Sequence, residues 1–135
     1  MKNRIFLTAF CMILIALAGT MVLGQTLRGR IEGTIKDPQG QVVPNTAISV
    51  KNTLTGESLT ASSNNDGAFS VSEVKPGTYT ITAELKGFKK SLVEGVVVQV
   101  GTVSSVIIQL EIGAISEEIT VSADDAQVTI NTANA

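Results

Sequence analysis

The side chains that most often perform nucleophilic catalysis or hold zinc are scarce in this sequence. It has no His, and its single cysteine, Cys11, lies near the start of the chain. Ser–His and Cys–His nucleophile systems and the usual zinc sites are therefore excluded. A pair of carboxylates of the glycosidase kind would have to come from acids in turns or on polar faces, namely Asp37, Asp66, Glu73 and Glu94. Acids at such positions are ordinary solvated residues, so the sequence predicts no catalytic pair, no cofactor and no enzymatic activity.

Metal and nucleic-acid binding are also disfavoured. Asn64, Asn65 and Asp66 place three oxygen-bearing side chains on one loop, but calcium needs six to eight oxygens and one carboxylate is poor provision. Asn, Asp and Gly are the residues of tight turns, so we predict a turn and no metal. The net charge is −2, and the only clustered bases, Lys89 and Lys90, are too few to follow a phosphate backbone.

Phe69, Tyr79 and Phe88 are the aromatic residues beyond the N-terminal segment, and all three lie beside turns. One interpretation is a platform on which sugar rings stack. The other is that they anchor the core, since the alternation of their segments points Phe69 and Tyr79 inward. We favour the core, and keep the three as candidate carbohydrate-stacking residues.

The elements that position these residues have a period of two almost everywhere. In residues 78–85, Tyr79, Ile81, Ala83 and Leu85 share one face and Thr or Glu side chains share the other, as half-buried antiparallel strands require. Turn residues separate such runs at residues 37–40, 52–56, 64–67, 75–77 and 86–87. In residues 64–67 the Asp-Gly pair predicts a type I′ hairpin. About seven strands at this spacing predict an all-β, seven-stranded Greek-key β-sandwich.

The C-terminal part of the chain offers two candidates for pairing with a partner. The valine-rich run at residues 96–100, bracketed by Gly95 and Gly101, is either a central strand or an exposed edge, and we favour the central strand. Residues 115–121 lie outside the minimal sandwich, so Ile115, Ile119 and Val121 are the better candidates for strand addition. Residues 124–135 are small and polar and predict a flexible tail.

The N-terminal segment has the composition of an export signal. Lys2 and Arg4 precede an apolar run at residues 5–18, and Val22 and Gly24 fit the small positions before a cleavage site. We predict a signal-peptide helix over residues 1–24, cleaved before Gln25; a cut after Ala18 and a retained membrane anchor are the alternatives. Cys11 lies inside the apolar run after Phe10, which argues against a lipoprotein site. Cleavage leaves a sandwich domain at 25–113 and an extra strand with a connector at 114–135, with no membrane span.

The order of the turn motifs resembles that of the carboxypeptidase regulatory-like domain, a transthyretin-like (prealbumin-like) sandwich also grouped with carbohydrate-binding-like folds. The resemblance covers about residues 28–112 and is carried by six ordered motifs: residues 33–35, 37–40, 43–46, 65–69, 76–79 and 87–88. Residues 112–121 are similar to the segment that joins this domain to the plug of Oar-like TonB-dependent outer-membrane receptors.

This resemblance implies a non-catalytic module in the periplasm or outer membrane. Its expected partner is another protein or the remainder of such a receptor, and the alternative is a carbohydrate-binding module that takes a polysaccharide. No plug or barrel sequence follows Ala135, so transport is not attributed to this chain by itself.

Overall fold

The structure is a computed structural model that describes residues 28–114, 117–125 and 128–131. These residues form strands and no helix, so none of them belongs to a helix that could cross a membrane. The strands, in chain order, are β1 (Gly29–Lys36), β2 (Ala47–Asn52), β3 (Ser58–Ser62), β4 (Ala68–Val74), β5 (Gly77–Glu84), β6 (Lys90–Val98), β7 (Val103–Gln109), β8 (Glu118–Ser122) and β9 (Val128–Asn131). The predicted leader, residues 1–24, lies outside the described residues.

Two sheets stack into a β-sandwich. The first has the strand order β4-β1-β7-β9 and the second the order β3-β2-β5-β6-β8. Strands β1 to β7 therefore supply three strands to one sheet and four to the other, which confirms the predicted seven-stranded sandwich. One further strand extends each sheet. β1 pairs with β7 in parallel and β6 with β8 in parallel, and the other pairs are antiparallel.

The core lies between the sheets and follows the period-two pattern of the sequence. In β5, Tyr79, Ile81 and Ala83 are buried while the threonines between them face outward and are half-exposed. Each buried branched side chain contributes about 1.5–3 kcal/mol relative to an exposed one. The largest fully buried side chains include Ile31, Ile35, Ile48, Ile81, Ile108 and Leu110. This alternation gives each strand one inward face and fixes its register.

The turn at residues 64–67 forms, but it is not the hairpin that the sequence predicts. β3 pairs with β2 and β4 pairs with β1, so this turn carries the chain from one sheet to the other. A type I′ turn needs positive φ at both central residues, whereas here only Gly67 has it, with φ 69°. The backbone amide of Gly67 donates to the Asn64 carbonyl at 2.9 Å. The motif therefore specifies a tight reversal but not which strands pair.

Gly95 does not bound a strand as the sequence predicts. β6 begins five residues earlier, at Lys90, and passes through Gly95, whose φ of 76° lies where its register against β5 shifts. Such a shift is a β-bulge, a position at which glycine is favoured in a strand. β6 lies between β5 and β8, but β8 pairs only with Lys90–Glu94, and among the described residues Val96–Val98 pair with β5 alone. The valine-rich run is therefore part of a strand, as predicted, but it does not lie between two neighbouring strands. Val96 and Val98 are buried, and Val97 points outward.

The predicted flexible tail is wrong for part of its length. Val128–Asn131 forms β9 and pairs with β7 from Val103 to Val106. The sequence Val-Thr-Ile at residues 128–130 is β-branched, and such residues favour strands when an open sheet edge is available. The sequence does not predict this strand because its three β-branched residues lie among small polar residues.

Candidate functional site

Phe69 and Tyr79 are part of the core. Phe69 is 4% exposed, and Tyr79 is 3% exposed and donates its hydroxyl hydrogen to the carbonyl of Lys75 at 2.8 Å. The predicted burial of both rings is thus confirmed. With their faces inside the sandwich, neither ring is available for stacking against a sugar.

Phe88 is only half-buried and packs at the margin of the core. Its backbone forms a bridge with Ile112, whose side chain is 67% exposed. Of the three candidate stacking residues, Phe88 is therefore the one that keeps part of its ring in solvent.

Asn64, considered for metal binding, and Asp37, considered for a carboxylate pair, each close their own turn. The Asn64 Oδ1 atom accepts hydrogen bonds from the amides of Asp66 and Ala68, both at 3.0 Å. Asp37 Oδ1 does the same for the amides of Gln39 and Gln41, at 2.9 and 2.8 Å. Side-chain caps of this kind are the usual reason for Asn and Asp in turns. In residues 28–114, 117–125 and 128–131 no three His, Cys, Asp or Glu side chains gather as a metal would need.

Residues 117–122, here called the strap, cover the edge of β6. Ile119 and Val121 lie opposite Ser91 and Val93, on the side facing the other sheet, and both are half-buried. Two backbone hydrogen bonds flank the parallel pairing of the strap with β6. At one end the Lys90 amide donates to the Glu117 carbonyl at 2.9 Å, and at the other end the Ala123 amide donates to the Glu94 carbonyl at 2.7 Å. Ile115, the third residue predicted for edge pairing, lies outside the described residues.

Lys89 joins the strap to the segment that follows β7 by ion pairs. Its Nζ atom lies 3.1 Å from Glu117 Oε2 and 3.6 Å from Glu111 Oε2. The hydrogen bond to Glu117 is the main cause that raises the pKa of Lys89, and the negative charges of Glu117 and Glu111 add to it. The backbone also participates, since the Lys89 amide donates to the Glu111 carbonyl at 2.7 Å.

Lys90 makes the second pair of contacts. Its Nζ atom lies 3.2 Å from Glu84 Oε1 on β5 and 3.7 Å from Glu118 Oε2 on the strap. The hydrogen bond to Glu84 is the main cause that raises the pKa of Lys90. The sequence shows Lys89 and Lys90 as clustered bases, but nothing in it pairs them with Glu117 and Glu118. The pairing depends on β8 lying parallel to β6, which no local pattern specifies.

Two clefts lie near the strap. A small one of about 250 Å³ opens beneath it and is lined by Ser91, Val93, Ile107, Val121 and Asp125, among others. A larger one, about 1160 Å³, lies open on the first sheet. Its lining is rich in hydroxyls and carboxylates: Glu32, Thr34, Ser62, Ser70, Ser105, Asp124 and Asp125. The first cleft shows that the strap is not closely packed over its whole inner face, and the second is an open, polar surface.

Comparison with known proteins gives one family and a set of structural neighbours. The carboxypeptidase regulatory-like domain family matches residues 30–111. A candidate carbohydrate-binding protein from Bacteroides uniformis ATCC 8492 is 25% identical with a TM-score of 0.52, covering 62% of this chain and 41% of that one. Hydroxyquinol 1,2-dioxygenase from Pseudomonas putida DLL-E4 is 10% identical with a TM-score of 0.51, covering 69% of this chain and 59% of the enzyme.

These neighbours differ in what they imply. The likeness to the dioxygenase shows a shared β-sandwich fold and nothing about activity. In both cases this chain spans less than two thirds of the neighbour's own length. A search of the curated proteins found no match.

Proposed function

This chain belongs to the carboxypeptidase regulatory-like domain family, whose members are regulatory or binding modules without catalytic machinery, and on that premise we propose that it is an accessory interaction domain of the cell envelope. In this proposal the chain is exported, its leader is removed near Gly24, and it works in the periplasm or at the outer membrane. It catalyses no reaction. Its partner is the remainder of a TonB-dependent outer-membrane receptor or another envelope protein.

The observation that carries the proposal is the family match over residues 30–111. The matched residues include nearly all of β1 and the whole of β2 to β7. All the buried apolar core residues, from Ile31 to Leu110, lie within this range. Two features support the cellular context: the positively charged and apolar start of the chain, and the similarity of residues 112–121 to the connector of Oar-like receptors. The sandwich provides a rigid body, and such bodies commonly serve to present edges and loops to partners.

Export is tested by expressing the full chain in a Gram-negative host and fractionating the cells. We expect the product in the periplasmic or membrane fraction with Gln25 as its first residue, measured by intact mass. A matched variant with Leu7→Arg and Ile13→Arg interrupts the apolar run and should keep the product in the cytoplasm with its leader attached. Cytoplasmic, uncleaved product from the unaltered chain would refute the envelope assignment.

The receptor context is tested in the source cells. An antibody against the domain should detect a membrane protein much larger than 14.1 kDa, or should co-purify such a protein after crosslinking. A free product of the size of this chain that co-purifies with no envelope protein would refute the receptor part of the proposal while leaving export intact.

Carbohydrate binding is the second candidate function, and one observation favours it: the Bacteroides uniformis neighbour, itself a candidate carbohydrate-binding protein, is 25% identical to this chain over the aligned part. The open cleft on the first sheet offers hydroxyls and carboxylates that could bond to sugar hydroxyls. Titration of the full chain with plant and microbial polysaccharides, followed by amide chemical shifts, tests this. Shifts at Thr34, Ser70 and Ser105 would place the sugar in the cleft, shifts at Phe88 would favour stacking, and no shift at millimolar sugar would eliminate this function.

A further inference from the structure

The edge of β6 has a defined chemical complement. Lys89 and Lys90 stand at the start of the edge and are paired with Glu117 and Glu118. The next positions accept an apolar side chain at every second residue, facing inward. The strand that fits this edge in the structure runs parallel to β6, begins with acidic residues and continues with alternating apolar residues. Residues 117–122, Glu-Glu-Ile-Thr-Val-Ser, have this pattern.

The strap is held by contacts that can be broken without unfolding the sandwich. Ile119 and Val121 are only half-buried, and neither belongs to the buried core. The Glu117 and Glu118 side chains are 57% and 46% exposed, and exposed ion pairs hold weakly and are screened by salt. The cleft beneath the strap reduces its packing further. Local opening of such an element occurs at a lower free energy than global unfolding.

From these observations we propose that the strap exchanges between two copies of this chain, so that the strap of one copy pairs with the β6 edge of the other. The same residues in a second copy can remake the backbone pairing with β6 and the ion pairs with Lys89 and Lys90, which is why exchange of identical elements is a low-cost route to dimers. The edge then accepts a strand from outside while the core of each domain stays intact. Strand exchange is independent of the proposed function and does not require export or a receptor.

Disulfide trapping tests the exchange in the full chain, with Cys11→Ser as the background. Leu92 on β6 and Thr120 on the strap are register partners on the outer face, and neighbouring strands place such residues within reach of a disulfide. One protein carries Leu92→Cys and a mass tag, and the other carries Thr120→Cys. The two are mixed, incubated and oxidised. We expect a covalent heterodimer of the two masses.

The matched control replaces Thr120→Cys with Thr60→Cys. Thr60 also faces outward, on β3 at the opposite edge of the same sheet, and should give no heterodimer above random collision. Lys89→Gln and 1 M salt should each speed heterodimer formation several-fold, because both weaken the ion pairs of the strap. Lys75→Gln, which breaks the 2.7 Å pair with Glu57 away from the strap, should leave the rate unchanged.

A protein with both Leu92→Cys and Thr120→Cys completes the design. If it closes its disulfide within one copy while the mixture gives no heterodimer even at 1 M salt, the strap stays on its own domain and the proposal is wrong. A double variant that closes no disulfide at all would show that the strap does not lie on this edge, and would also overturn it. A heterodimer equally abundant with Thr60→Cys would show collision instead of exchange.

Discussion

Gly33 and Phe69 lie side by side in register on β1 and β4, and their contact gives a sharp test of the core. A Cβ atom added at Gly33 would meet the Phe69 ring, with Cζ at 2.5 Å, and the carbonyl oxygen of Val106 at 2.6 Å. Contacts this short do not occur between such atoms, so either the ring or the parallel pair of β1 and β7 must move. Position 33 therefore has to be glycine because of close approach, and not because of its backbone angle.

The cost of Gly33→Ala can be estimated. Overpacking a core typically costs about 1–3 kcal/mol, and we expect the upper end because a backbone oxygen is involved. The lower chain entropy of Ala returns about 0.5–1 kcal/mol, which leaves a net loss of about 2–2.5 kcal/mol. Phe69→Leu alone should cost about 1 kcal/mol. Leu lacks the ring atoms that the new methyl group would meet, so the double variant should lose about 1–2 kcal/mol less than the sum of the single losses.

Denaturant unfolding of the full chain measures these values. Because the chain has no Trp and one Tyr, far-UV circular dichroism is the suitable signal. Thr34→Ala is the matched control, since its side chain lies on the outer face of the same strand, and it should cost no more than about 1 kcal/mol. Additive losses in the double variant would show that the Phe69 ring is not what opposes a side chain at position 33, and a harmless Gly33→Ala would contradict the packing of this part of the core.

Four further outcomes are expected. Asn64→Ala removes the acceptor of two backbone amides and should lower the unfolding free energy by about 1–2 kcal/mol. The neighbouring Asn65→Ala should lower it by less than about 0.5 kcal/mol, and equal losses in the two variants would contradict the capping role of Asn64. Phe88→Ala should cost about 2 kcal/mol, roughly half the loss for a fully buried ring, and unchanged unfolding would mean that the ring does not pack on the core. The pKa of Lys89 is raised above its ordinary 10.5, chiefly by its hydrogen bond to Glu117, so the stabilising effect of its ion pairs is complete below that pH and disappears as the pH rises through the folded-state value. The methyl shifts of the strap should change as Lys89 loses its proton, and shifts that stay flat while the Lys89 side chain titrates would contradict the ion pairs. A fragment ending at Gly113 should still unfold cooperatively, because it retains the buried core, but it should have a lower melting temperature than the full chain and should aggregate. An unfolded fragment would show that the predicted domain boundary of 25–113 is wrong.

The sequence predicts the burial of individual side chains better than the pairing of strands. Tyr79 and Phe69 are placed correctly because alternation within a strand depends only on local spacing. The turn at residues 64–67 is also placed correctly, but its role as a crossover is missed because turn residues specify a reversal and not the sheet to which each flank belongs. Gly95 is misjudged for a similar reason, since glycine marks both turns and bulges.

The candidate site is less predictable than the core. Each member of the pair formed by Lys89 and Glu117 is visible in the sequence, but they are 28 positions apart and come together only when the strap lies parallel to β6. Parallel pairing between distant segments leaves no hairpin signal. β9 was missed because four residues carry little pattern, and the open edge of β7 that pairs with them is itself a product of the fold.

The positions of β8 and β9 follow from which edges the seven-stranded domain would otherwise expose. In that domain β6 and β7 would be edge strands, one in each sheet, and both are rich in β-branched residues with exposed positions at Val97 and Ile107. Unpaired edges of this composition template aggregation. The chain covers part of each edge: the strap pairs with Lys90–Glu94 of β6, and β9 pairs with Val103–Val106 of β7. Of the described residues, none pairs with the outer edges of β3 and β4, and β3 is five residues long and carries Ser and Thr on its outer face. Because exposed ion pairs hold the strap weakly, the strap of a second copy can replace it, and this is the basis of the strand exchange that we propose at the edge of β6.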